Sequence, residues 1–95
     1  AEETGGANVV TRRIASKVDR YEKVLREMFA DVWAARKPIS WVDVGAGFGE
    51  FIEAVGRCAP AGSEIEGLEP MGPKAQAARE RGLNVVESYL TRDHA

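Results

Sequence analysis

Residues 42–51 read Val-Asp-Val-Gly-Ala-Gly-Phe-Gly-Glu-Phe, and the chemistry of the chain concentrates there. Glycines at 45, 47 and 49 follow a short apolar run and precede a helical pattern. With no Cβ in the way, a ligand can approach such a backbone closely, and the helix start beyond it offers unpaired amides and partial positive charge. The spacing is G-x-G-x-G. A dinucleotide cradle favours G-x-G-x-x-G, and the position it would give to glycine is Glu50, whose carboxylate would repel a pyrophosphate seated on the turn. No Lys follows these glycines, so the G-x-x-x-x-G-K-[ST] phosphate loop is absent as well. A second acid, Glu69, ends the next β-like run about 20 residues beyond Gly49. Open α/β sheets bind ligands at such strand ends, where a carboxylate can accept from both hydroxyls of a ribose. Taken without the glycines, Glu69 reads equally as a solvated charge at an open strand end ahead of a turn.

Asp43 followed by Gly45, Gly47 and Gly49 resembles the first motif of the class I S-adenosylmethionine-dependent methyltransferases. The resemblance covers Val42 to Leu90. Its second half, GLEPMGPKAQAARERGLNVV, is similar to the small-molecule subfamily, in which an acid at the second strand is followed by a helix ending in a glycine. The resemblance implies an S-adenosylmethionine cofactor and methyl transfer to an unidentified small-molecule acceptor. That cofactor has no phosphate and carries a cationic amino-acid end, so acid near the turn is tolerated or useful.

Residue by residue, the resemblance places Gly45 and Gly47, with Ala46 between them, against the methionyl and ribose parts, and Gly49 completes the motif. Asp43 orients the turn or the amino group, directly or through water. Glu69, followed by Pro70, accepts from the ribose, and Met71 lies against the adenine or packs under the loop. Many relatives carry an Asp after the third strand that accepts from the adenine amino group; this chain has Glu87-Ser88-Tyr89 there, and Ser88 is the candidate. Nothing beyond Val86 reads as the fourth strand that supplies acceptor-side residues in the family. No catalytic residue is therefore assigned, and the chain is expected to be a cofactor-binding fragment without activity of its own.

The elements that must position these residues follow from periodicity. Residues 1–15 are expected to form a flexible lead-in. Val18, Tyr21, Leu25, Met28 and Val32, widened by Val24 and Phe29, recur at helical intervals and predict an amphipathic helix over about 16–36. Ser16 with Asp19 suggests a capping box, and Lys37-Pro38 supplies the stop. A strand over 39–44, a helix over 49–58, a strand over 64–69, a helix over 74–81 closed by Gly82 and a strand over 83–87 complete the order. Strands alternating with short helices imply an α/β fold: a partial Rossmann-like parallel sheet of about three strands, with right-handed crossovers and a preceding helix. Residues 16–95 would form this one domain, and a chain of 95 residues buries only roughly 60–65% of the surface its unfolded form exposes.

The formal net charge is −2, with acids and bases interleaved, so no basic stripe points to a nucleic-acid partner. The lone Cys58 fits a reducing compartment, which makes the cytoplasm the expected location, and it is read as a small core residue. No apolar run approaches the roughly 20 residues of a membrane span. His94 has no second ligand nearby, so no metal is expected. Trp33 and Trp41 are read as packing residues, and Tyr21 as packing or as a cover for the cofactor. Two other readings stay open: an NAD-type oxidoreductase fragment, and a non-catalytic interaction domain whose sheet edges pair with a partner or with a second copy.

Overall fold

A computed structural model describes residues 2–89, with side chains described from Val9 onward. His94 and Leu90 therefore lie outside the described residues. Helix α1 runs Glu2–Met28 and a short α2 runs Ala30–Ala34. Strand β1 (Ser40–Val44), helix α3 (Glu50–Cys58), strand β2 (Glu64–Leu68), helix α4 (Gly72–Glu80) and strand β3 (Val85–Val86) follow. The sheet order is β1-β2-β3 and both pairings are parallel, with Ser40 opposite Glu64 and Gly67 opposite Val85. The expected α/β class and three-stranded, Rossmann-like partial sheet are found.

The leading helix differs from expectation at its start. It begins at Glu2, not near Ser16, because the apolar stripe continues backwards through Ile14 and Val10, and Ile14 packs against the core. The flexible lead-in expected over residues 1–15 is thus replaced by helix from Glu2. Ser16 lies exposed in the helix interior and caps nothing, while Asp19 accepts from Arg57 at 2.8 Å. The stripe is also narrower than the sequence implies. Val18 and Leu25 are buried and Tyr21 is half-buried, whereas Met28 is 66% exposed and Val24 and Val32 are also exposed.

The reason lies at Phe29, where the helix breaks with φ −119° and ψ 34°. The Leu25 carbonyl accepts from both the Phe29 amide (3.0 Å) and the Trp33 indole N–H (2.9 Å), and a side-chain donor entering the ladder is one cause of such a break. The break turns Phe29 edge-on to Trp33 and Trp41, so aromatic rings fill the place expected of Met28 and Val32. Arg36, at φ 56°, ends the helical segment ahead of Pro38.

Two apolar clusters hold the layers together. One joins Val18 and Leu25 of α1 to Ala54, Val55 and Cys58 of α3, with Tyr21, Phe51 and Trp41 stacked at its margin. The other joins Ala46 and Ile52 to Ala75, Ala78 and Val85. The covered face of the sheet looks onto α3. On the opposite face Val42, Val44 and Val86 are exposed, at 48%, 55% and 40%.

Gly67 sits in the middle strand facing the second cluster. A Cβ there would stand 2.7 Å from the Ala46 Cβ, 3.2 Å from Val85 and 3.3 Å from Ile52. The strand carries no side chain at this point because the β1–α3 turn folds over it. Replacing Gly67 with Ala should therefore cost about 1–3 kcal/mol, the usual penalty of overpacking. Urea unfolding of the variant checks this, and a midpoint equal to that of the parent would show that the turn does not press on β2.

Candidate functional site

Gly45 and Gly47 adopt φ of +77° and +59°, a left-handed backbone that side chains resist, so the chain can leave β1 and reverse within a few residues before α3. The turn hangs from the neighbouring strand. The amides of Gly45 and Ala46 both donate to the Leu68 carbonyl, at 2.7 and 3.0 Å. Gly49 donates to the Ala46 carbonyl at 2.9 Å.

Glu69 supplies the remaining tie. It is buried at 5% exposure, and its Oε1 accepts the Gly47 N–H at 2.6 Å while its Oε2 accepts the Met71 N–H at 2.9 Å. One carboxylate thus joins the turn after β1 to the turn after β2. The open, solvated strand end expected for Glu69 is not what the fold provides. Burial of the carboxylate is offset by two charge-assisted hydrogen bonds, and each oxygen keeps lone-pair capacity for a further donor such as a ribose hydroxyl. The backbone on either side is pinned too, with the Glu69 amide donating to Val86 at 2.9 Å and the Ser88 amide donating to Glu69 at 3.1 Å.

Beside the turn lies a hollow of about 270 Å³ lined by Tyr21, Asp43, Gly45, Ala46, Gly47, Glu50 and Phe51. Its charged lining is wholly acidic. The Glu50 carboxylate lies over Gly47, 3.6 Å from where a Cβ would stand, and Lys17 approaches its other oxygen at 3.8 Å from the helix side. Burial holds the Asp43 carboxyl above its ordinary range, and the nearby charge of Glu50 adds to the effect.

Of the residues expected at the site, Asp43, Gly45, Ala46 and Gly47 line this hollow, and Glu69 borders it through Gly47. Tyr21 packs on Phe51, at 5.3 Å between ring centroids, and also lines the hollow. Gly49 is placed otherwise. It is buried, φ +84°, and a Cβ on it would meet Leu83 at 2.5 Å and Ala78 at 3.4 Å, so its glycine serves the packing of α3 against the α4–β3 connection. Pro70 is half-buried between Glu69 and Met71, whose side chain is 56% exposed and not packed under the loop. Ser88 stands next to Glu69 through its backbone, but its hydroxyl donates to the Tyr89 carbonyl at 2.9 Å.

Sequence reasoning missed Gly67 and the placement of Arg81. A glycine isolated inside a strand is a signal of close backbone approach that could have marked the first. Arg81 follows α4, donates to the Phe48 carbonyl at 2.5 Å and pairs with Glu53, reaching the glycine turn from a third element. Nothing in its spacing foretold that. Cys58 lies in the core, and burial pushes its thiol pKa up.

Comparison with protein-family models and with curated proteins returns no match for this chain.

Removing the Glu69 carboxylate should cost stability, since two partly buried amide hydrogen bonds lose their acceptor. Glu69→Ala is expected to lower the unfolding free energy by about 2–3 kcal/mol, read by urea denaturation. An unchanged midpoint would mean the two turns hold without it. Asp43 acts in the opposite sense. Its raised pKa favours the protonated form in the folded state, so its stabilisation is complete below the ordinary carboxylate range and is lost as pH rises through the raised value. Asp43→Asn should therefore gain stability relative to the parent as pH increases from acid to neutral, and parallel pH profiles of melting temperature for the two proteins would refute this.

Proposed function

We propose that this chain is the S-adenosylmethionine-binding part of a class I methyltransferase acting on a small-molecule acceptor. The observation that carries the reading is the chemistry the glycine turn presents. Four of its amides, at Gly45, Ala46, Gly47 and Gly49, are already engaged within the protein, and carboxylates of Asp43 and Glu50 face the hollow beside it. A pyrophosphate needs amide donors and a favourable field, and the acids Asp43 and Glu50 oppose it beside this turn.

A sulfonium cofactor with an ammonium group makes the opposite demand. Asp43 and Glu50 offer negative charge to its amino-acid end, Gly45 and Gly47 leave room for the chain to pass, and Glu69 has lone pairs left for a ribose diol. Tyr21 covers the hollow from α1. In methyl transfer the acceptor's lone pair forms the new bond to the methyl carbon as the carbon–sulfur bond breaks, and the bonding pair remains on sulfur. The part of these residues is to hold the cofactor and align it, and alignment can lower such a barrier by several kcal/mol, on the order of 7–11 for the best-oriented systems.

Because the turn tells against a pyrophosphate, ligand choice is a direct test. Calorimetric titration should show S-adenosylhomocysteine binding and no measurable binding of NAD, and Gly47→Val should abolish the former while the circular dichroism spectrum stays helical. NAD binding of equal or greater strength, or a folded Gly47→Val protein with undiminished affinity for S-adenosylhomocysteine, would overturn the assignment.

A further inference from the structure

A second hollow opens on the other side of Glu50. It measures about 240 Å³ and is lined by Val10, Arg13, Ile14 and Lys17 of α1 together with Phe48 and Glu50 of the turn. Arg13, Lys17 and Tyr21 follow one another at four-residue intervals, so one row of the helix passes from this hollow to the one beside the glycines. Tyr21 lines the first, Arg13 lines the second, and the Lys17–Glu50 pair at 3.8 Å stands between them.

The two hollows have opposite charge. Glu50 lines both; beside it the first hollow carries Asp43, whereas the second sets two cations, Arg13 and Lys17, against apolar walls of Val10, Ile14 and the Phe48 ring. Two more cations meet Phe48 from behind. Lys74 stands 5.9 Å from its ring centroid, and Arg81 donates to its carbonyl. Among the described residues the acids paired with these four positive groups are Glu50, with Lys17, and Glu53, which Arg81 shares with Arg57, so the described surroundings of Phe48 are net positive.

We propose that the hollow between α1 and Phe48 binds a small apolar molecule carrying one carboxylate, with Arg13 as its principal anchor and Lys17 assisting. The planar fork of an Arg suits a carboxylate, and Lys17 has ammonium protons beyond those directed at Glu50. The volume lies below the roughly 300–1,000 Å³ of drug-sized sites, which limits the apolar part to about one ring or a short branched chain. This rests on the methyltransferase reading for its meaning: Glu50 lines both hollows, so a ligand seated here is the neighbour of a cofactor held in the first, and the proposal assigns it as the methyl acceptor.

Phenylacetate and its neutral isostere phenylacetamide are suitable probes, followed by the amide resonances of Ile14, Phe48 and Glu50 in nitrogen–proton correlation spectra of the whole chain. Phenylacetate should shift these three resonances and bind about tenfold or more tightly than the amide, the difference expected of a charge-assisted hydrogen bond. Arg13→Gln should remove that preference and Arg13→Lys should restore part of it. Arg13 is exposed and outside the cofactor hollow, so the Gln variant should keep the parent's melting temperature and its affinity for S-adenosylhomocysteine. Equal binding of acid and amide, or an Arg13→Gln protein that still prefers the acid, would overturn the proposal. Arg13-dependent binding of phenylacetate by a chain that does not bind S-adenosylhomocysteine would support the carboxylate site and instead defeat the methyltransferase reading.

Discussion

A single buried carboxylate organises the end of this fold that carries the glycine turn. Glu69 accepts from Gly47 on one side and Met71 on the other, so the turns after β1 and β2 are fastened to the same group. A buried charge is costly unless it is hydrogen-bonded, and here the amides that would otherwise be orphaned beside a glycine turn are the donors that offset the cost. The same contact shapes the site. Gly47 is committed to Glu69, and Gly45 and Ala46 to Leu68, so these three amides of the turn are engaged within the protein.

Behind that end, the layers are held by apolar contact more than by charge. Arg57 bridges Asp19, Glu22 and Glu53, and Arg26 joins Glu22 at 2.7 Å, which lines up α1 along α3. These pairs are at the surface, and exposed ion pairs contribute little each, so their main effect is to fix the register in which Val18 and Leu25 meet Ala54 and Val55. That register decides which α1 side chains reach the glycine turn. Tyr21, Lys17 and Arg13 do, while Val24 and Met28 point away. Helix α3 covers the sheet on this face. Val42, Val44 and Val86 are exposed on the other, and β1 is an outer strand of the described sheet. Among the described residues no helix is long and apolar enough to cross a membrane.

Much of this was written in the sequence because the governing signals are local. Short β-branched runs bounded by turn residues and a 3.6-residue apolar period located three strands and the helices between them to within a few residues, and the glycines at 45 and 47 marked the turn between the first strand and its helix. The acids at 43 and 69 were likewise visible as ligand-facing candidates from their places at strand ends. What local pattern could not decide was the partner of each group. Whether Glu69 points to water or into the protein depends on how close the β1 turn comes to β2, and that distance is set by Gly67 and Ala46 meeting across the sheet. The start of α1 depends on Ile14 finding the core, and the exposure of Met28 depends on Trp33 taking the Leu25 carbonyl. The opposite charges of the two hollows arise only when one row of α1 is laid across the turn. Sequence determined the elements and the residue types able to do chemistry; tertiary packing decided which amides remain free, which acids are buried and which cations face a cavity, because those are properties of distances between segments far apart in the chain.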